Sequence, residues 1–595
     1  MAERRALRIV KQRAAAVLLG LPLAFSAFAN PVPDARSVFQ QLVADVEAFE
    51  REHDPITAGF EGDRAAWSRL PDLSPRAAAR QREGLEALQR RAEAIEAAAL
   101  SAEQQFDLAF LKRVLADRLE RGKFDESRLA FSNEGGPVAL LRYLASVTPI
   151  RSREDAEAWL ARLAGAARLI DDSTSNARRG IKTGFVQPRI TVETVLPQLR
   201  AELAVAIDED PLLAPLKAMP AQIPEAERDA LLTRGRELIE QQIRPAQARF
   251  VALLEKDYLR RARRALGVGS LPGGKPYYAY LARHYTTAAL TPDEIHALGQ
   301  SEVARIRAEM EAVIKESGFS GSFAEFLAFL RRDPRFYAKS RDELLEKAAW
   351  IAKRADDKLP GLFGTLPRLP YGVREVDRTI EANYTTGRYN PGSPQQGVAG
   401  GYMVNTSKLD QRPLYELPAL TLHEAVPGHH LQIALAQELG ELPYFRRNAD
   451  VTAFVEGWGL YAELLGYDMG IYLTPYERFG KLSYEMWRAC RLVADTGIHW
   501  LGWDLDQARA CFAENSALAP HNIETELQRY ISWPGQALAY KVGELKLREL
   551  RRRAETRLGE RFDIRQFHDT VLLGGPMPLD MLEARVDVWI AEQSR

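Results

Sequence analysis

Hydrophobic positions return every three or four residues along most of this chain, the spacing of helices that bury one face. Residues 35–120, including the run RAAARQREGLEALQRRAEAIEAAAL, combine that period with abundant Ala, Leu, Glu and Arg, all strong helix formers. The same period predicts helices over 153–173, 224–266, 292–317, 340–357, 414–440, 450–468, 480–516 and 535–556. Caps with acidic first turns mark several starts, as in Ser152-Arg153-Glu154-Asp155 and Thr291-Pro292-Asp293-Glu294. No fixed repeat argues for a solenoid. One interval departs from the pattern. Between 372 and 407, alternation and β-rich composition predict strands near 374–383 and 400–406, joined by a Pro/Gly/Gln loop. A small sheet there would be placed to take an extended peptide as an added strand, or would serve as a structural hairpin.

The N-terminus reads differently. Arg4, Arg5, Arg8, Lys11 and Arg13 precede the apolar run AAAVLLGLPLAFSAFA, which ends Ala27-Phe28-Ala29. A basic region, a short apolar region and small residues at the cut predict a secretory signal peptide over 1–29. Removing it discards five basic residues and one acidic one, taking the net charge from −1 to −5. No later stretch is long and apolar enough to span a bilayer, so stable membrane insertion is not expected. The expected location is across the inner membrane, in the periplasm. There an oxidising environment would permit a Cys490–Cys511 disulfide, although spacing alone does not decide it.

Composition removes other classes. With 80 Lys+Arg against 81 Asp+Glu in 595 residues, nothing pulls the chain toward nucleic acid. Two cysteines make neither a disulfide framework nor a four-thiolate zinc site. The stretch Gly269–Lys275 imitates a phosphate-binding loop, but Pro276 stands where a magnesium-binding hydroxyl is needed and no strand precedes it.

Three of the nine histidines fall within eight residues, in LPALTLHEAVPGHHLQ. A zinc hydrolase needs two imidazoles converging on one ion beside a carboxylate able to activate water. His423-Glu424 begins the HExxH pattern that supplies them, but Pro427 occupies the position of its second histidine. Proline lacks the N–H for the turn and crowds the preceding one, so a kink or widened turn is expected, with Gly428 absorbing unusual dihedrals. If that turn acts as a two-residue insertion, His429 replaces the second histidine; on an undistorted helix His430 would return to the same face. His429 is favoured. The third ligand is expected from DVTAFVEGWGLYAELLGYD, where Glu456 interrupts an apolar run. Glycines at 457 and 459 would permit close helix approach, and Glu463 could orient a ligand from behind.

The segments HEAVPGHHLQ, EGWGLYAELLG, DTGIHWLGWD and RYISWPGQALAYKVGELKLREL resemble a bacterial family catalogued as a domain of unknown function, number 885. That family looks similar to the helical gluzincin metallopeptidases. The resemblance implies a single large helical domain over 30–595, two-lobed, with a deep central cleft and a small β element on its rim. Within it, 30–370 would form the helical lobe and cleft wall, and 371–595 the metal-site region. It also implies one zinc ion held by His423, His429 and Glu456, with Glu424 as general base. His499 and Tyr530 resemble, in role, the donors that stabilise the tetrahedral intermediate, with Tyr540 as the alternative and a substrate contact. Arg491 or Arg529 could hold a substrate carboxylate, and Asp495 could orient a ligand or His499. His53, His284, His296, His521 and His568 read as structural. The expected protein is a mainly α, exported zinc hydrolase that cleaves short peptides. The alternatives are a hydrolase of another amide or ester and a silent binding protein that kept the fold.

Overall fold

In the computed structural model, residues 34–133, 135–378, 381, 384–394, 397–440 and 442–595 are described. The proposed signal at 1–29 lies outside them. The architecture is mainly α with one small sheet. Both capping boxes read from sequence form: Ser152 heads the helix Arg153–Thr183 and Thr291 the helix Pro292–Glu316. Each satisfies two backbone donors that the first turn leaves unpaired. No described helix is long and apolar enough to cross a membrane.

Three hydrophobic clusters form among the described residues. The largest runs from Phe39 through Trp458 to Ile590 and takes residues from both sides of position 370. A second is confined to residues between Leu70 and Tyr258. The third joins Ile306 and Met310 to Leu482, Met486 and Tyr530. Burying each large side chain contributes about 1.5–3 kcal/mol, so these clusters fix the relative positions of the helices that carry the site.

The sheet corrects the expected hairpin. It has three strands, β1 (Tyr371–Glu375), β2 (Gly387–Asn390) and β3 (Gly400–Val404), in the order β1-β3-β2. β1 runs parallel to β3, pairing Val373 with Tyr402, and β2 runs antiparallel to it, pairing Tyr389 with Tyr402. Thus the first predicted strand ends at Glu375, and the antiparallel partner of β3 is a strand that the alternation does not predict. Three helices near the C-terminus, Pro520–Ser532, Ile564–Leu572 and Leu579–Gln593, likewise lie outside the predicted helical intervals.

Two close helix contacts frame the site. Helix Thr452–Asp468 packs against helix Ala539–Leu558 through paired glycines: a Cβ on Gly457 would lie 2.6 Å from Gly543 Cα. Beneath this contact the fully buried Lys541 ammonium meets Glu302 at 3.0 Å, Glu485 at 2.8 Å and Glu544 at 2.9 Å. These carboxylates come from three helices, and a buried cation surrounded this way strongly penalises loss of any partner. The disulfide Cys490–Cys511 forms and ties helix Pro475–Thr496 to helix Leu505–Asn515.

Valine at 543 must displace backbone, because even a Cβ there would stand 2.0 Å from the Ala453 carbonyl oxygen. The expected cost of Gly543→Val is about 2–3 kcal/mol, read as a lower denaturant midpoint at unchanged slope.

Candidate metal centre

The segment predicted as one helix over 414–440 is two. Helix Leu417–Glu424 stops, four residues turn, and helix His429–Glu438 starts. The break is complete where a kink was expected: Ala425 and Gly428 both leave the helical region, with ψ of −110° and −129°. The Val426–Pro427 peptide is cis. Gly428 is required by close approach, since a Cβ there would lie 1.9 Å from the His423 carbonyl oxygen. The Pro427 carbonyl accepts from the indole N–H of the buried Trp458 at 2.8 Å. That bond ties the turn to the helix carrying Glu456.

The turn places His429 opposite His423. Their rings stand nearly perpendicular, with centroids 4.6 Å apart. Glu456 Oε2 lies 3.6 Å from His423 Nε2 and 3.4 Å from His429 Nε2. One donor atom from each residue lies within 4.8 Å of the others. Tetrahedral ligands about 2.0–2.2 Å from a zinc ion are separated from each other by roughly 3.3–3.6 Å, and both Glu456 separations match that spacing. Electrostatics agree. Burial opposes a proton on His423, yet the Glu456 and Glu463 carboxylates overcome it and hold its pKa up at about 9. Burial likewise opposes charge on Glu456, and the two imidazoles hold its carboxyl well below the usual range.

His430 is not part of it. Its Nδ1 meets the Tyr389 hydroxyl at 3.0 Å, its ring packs on Tyr371, and burial pushes its pKa down to about 4. This histidine holds the sheet against the second helix.

The supporting groups are specific. His423 Nδ1 donates to Glu463 Oε1 at 2.9 Å, which fixes the tautomer that turns Nε2 toward Glu456. Glu463 is 1% exposed and also meets Arg488 Nη2 at 3.3 Å. Space for the His423 ring comes from Gly459, where a Cβ would lie 2.6 Å from Cε1. So the glycines at 457 and 459 serve different ends, one a helix contact and the other a ligand. Glu424 sits beside the trio, and its Oε2 accepts the backbone N–H of Tyr389 on β2 at 2.8 Å.

Downstream, the expected donors change. Both ring nitrogens of His499 are occupied: Nδ1 accepts from the Val268 N–H at 3.0 Å and Nε2 donates to the Tyr530 carbonyl at 2.9 Å. The ring is buried and its pKa pushed down to about 3, so this neutral imidazole clips two segments together and has no donor for a substrate. The Tyr530 hydroxyl is committed too. It donates to Glu526 at 2.8 Å while accepting from Arg491 at 3.0 Å and Trp487 at 3.2 Å. Asp495 reaches neither a ligand nor His499; it accepts from Tyr278 at 2.5 Å and the Gly535 N–H at 3.0 Å. Tyr540 differs. Among the described residues its hydroxyl accepts from Arg529 Nη2 at 3.2 Å and keeps its own proton free. Arg491 and Arg529 share Glu526, at 3.0 and 3.5 Å. Sequence reasoning misses Arg488 and Tyr389: an arginine in a helical run and a backbone N–H leave no readable signal.

A family model described as "Bacterial protein of unknown function (DUF885)" matches residues 55–586, and the chain belongs to this family. It is similar to the crystal structure of a "putative lipoprotein from Colwellia psychrerythraea", 26% identical, covering 94% of this chain and 100% of that one with a TM-score of 0.87. A "putative lipoprotein of unknown function from Shewanella oneidensis" shares the fold at 17% identity, covering 93% of this chain and 99% of that one, TM-score 0.73. No curated protein matches the chain.

Metal analysis of purified variants separates the two histidines. His423→Ala, His429→Ala and Glu456→Ala are expected to lose bound zinc, while His430→Ala keeps it. Glu463→Gln is expected to weaken zinc binding about 10–100-fold in a chelator competition.

Proposed function

We propose that this member of the DUF885 family is an exported zinc-dependent hydrolase of short peptides. The observation that carries the reading is the placement of Glu424 beside a convergent His423–His429–Glu456 trio. The same donor types, in the same order, characterise the helical gluzincins, here with the interval between the histidines lengthened by Pro427-Gly428. Support for export comes from the basic and apolar N-terminal pattern, the Cys490–Cys511 bond, and the description of the 26%-identical relative as a lipoprotein.

A zinc ion on His423, His429 and Glu456 would supply Lewis-acid polarisation of a substrate carbonyl and of a water molecule. The remaining work belongs to the chain. Glu424 keeps one carboxylate oxygen on the Tyr389 N–H; the other, which has no hydrogen-bond partner among the described residues, would take the water proton and return it to the departing amine. Glu463 holds the His423 ring in one orientation, and Arg488 pairs with that buried carboxylate at 3.3 Å. His499 and Tyr530 have their donors committed and supply none for a developing oxyanion.

Glu424→Gln tests this reading because it keeps the shape and removes the base. Zinc content is expected to stay stoichiometric while kcat on short peptides falls about 10²–10⁴-fold. Hydrolysis of acyl esters but not peptides by the wild type would move the substrate class. Unchanged turnover in Glu424→Gln would sink the mechanism.

A further inference from the structure

The second charged cluster near the centre is out of balance. Arg491 and Arg529 both turn toward a single carboxylate, Glu526, whose side chain is 14% exposed. The other acid close to Arg529 is Asp495, committed to Tyr278 and Gly535, and burial pushes its pKa up to about 7. Two guanidinium groups thus share one carboxylate in a poorly solvated place, and an anion between them would complete the set.

The cluster is also preorganised. The Arg491 guanidinium is sandwiched between Trp487 and Tyr540, with ring centroids at 4.5 and 4.3 Å. Its Nε and Nη2 hold Tyr530 and Glu526, and its buried Nη1 has no partner among the described residues. Arg529 bonds Gln536 at 2.6 Å and the Tyr540 hydroxyl at 3.2 Å, and that hydroxyl retains a free proton. Arg529 lies near the Trp533 ring, which lines a cavity of about 350 Å³ together with Tyr277, Tyr285 and Arg121.

Two helices relate this cluster to the candidate metal centre. Arg491 lies one turn beyond Arg488, whose guanidinium meets the Glu463 that holds His423. Tyr540 lies one turn before Gly543, which packs on Gly457 next to Glu456. The two clusters are thus carried in part by the same pair of helices.

We propose that Arg529 and Tyr540, backed by Arg491 as a positioning residue, form an anion subsite that receives a carboxylate of the substrate. A monoanion suits a pair of guanidinium groups that share one carboxylate beside a phenolic donor. Calling the ligand a substrate rests on the hydrolase reading above; the subsite itself does not. The carboxylate is either the C-terminal α-carboxylate or an acidic side chain.

Binding in zinc-loaded full-length Glu424→Gln, measured by calorimetry, tests this without turnover. The probes are N-acetyl-trialanine as the free acid, its C-terminal amide, and an amide with glutamate in the middle position. The free acid or the glutamate amide is expected to bind at least tenfold more tightly than the plain amide. Whichever does so identifies the source of the carboxylate. The preference should vanish when Arg529→Gln is added and shrink with Tyr540→Phe. Equal binding of all three probes to the Glu424→Gln protein, or no binding of any, overturns the subsite, and that comparison needs no further variant to fold. A preference surviving Arg529→Gln in a protein with an unchanged unfolding temperature overturns it as well. If wild-type enzyme hydrolyses no peptide while the acid preference persists, the hydrolase reading falls and the subsite stands.

Discussion

The hydrogen bond from His423 Nδ1 to the buried Glu463 carboxylate is the interaction on which the centre depends. An imidazole can present a lone pair at Nε2 only if its proton is held on the other nitrogen, and Glu463 holds it there. That carboxylate, 1% exposed, is paired in turn with Arg488. Arg488 sits on helix Pro475–Thr496, which the Lys541 network fastens to two further helices. The chain of dependence therefore runs from one ligand atom out to the packing of the whole C-terminal half.

Steric absence matters as much as contact. Gly428 lets the turn close on the His423 carbonyl, Gly459 leaves room for the His423 ring, and Gly457 lets a neighbouring helix approach to backbone distance. The four residues of EGWG act separately. They give, in order, a carboxylate at the trio, a helix contact, an indole bond to Pro427 and a hollow for a ring. Such a segment tolerates no exchange among its members, because each position answers to a different neighbour.

The helical class and most helix positions were legible because amphipathic spacing and capping boxes are local properties. The trio was legible because few residue types bind metal and the HExx pattern restricts where they fall. That Pro427-Gly428 acts as an insertion was readable in outline, but the complete break was not, since it depends on Trp458 and on backbone crowding from distant parts of the chain. The sheet was misread for a related reason. A parallel partner such as β1 has no turn to announce it, and β2 is only four residues long. His499 and Tyr530 failed as donors because sequence reveals a side chain's chemistry but not whether its bonds are already made. Tyr540 differs from Tyr530 only in what surrounds it.

Tyr389 links two things that are otherwise separate. Its backbone N–H grips Glu424 and its hydroxyl grips His430, so a four-residue strand touches both halves of the broken helix. That strand is paired along its whole length with β3, which is paired in turn with β1. The ladder thus connects the far strand to the carboxylate beside His423. The sheet is then a lever with its short arm at the trio: a change at its outer end can re-aim Glu424 without touching His423, His429 or Glu456.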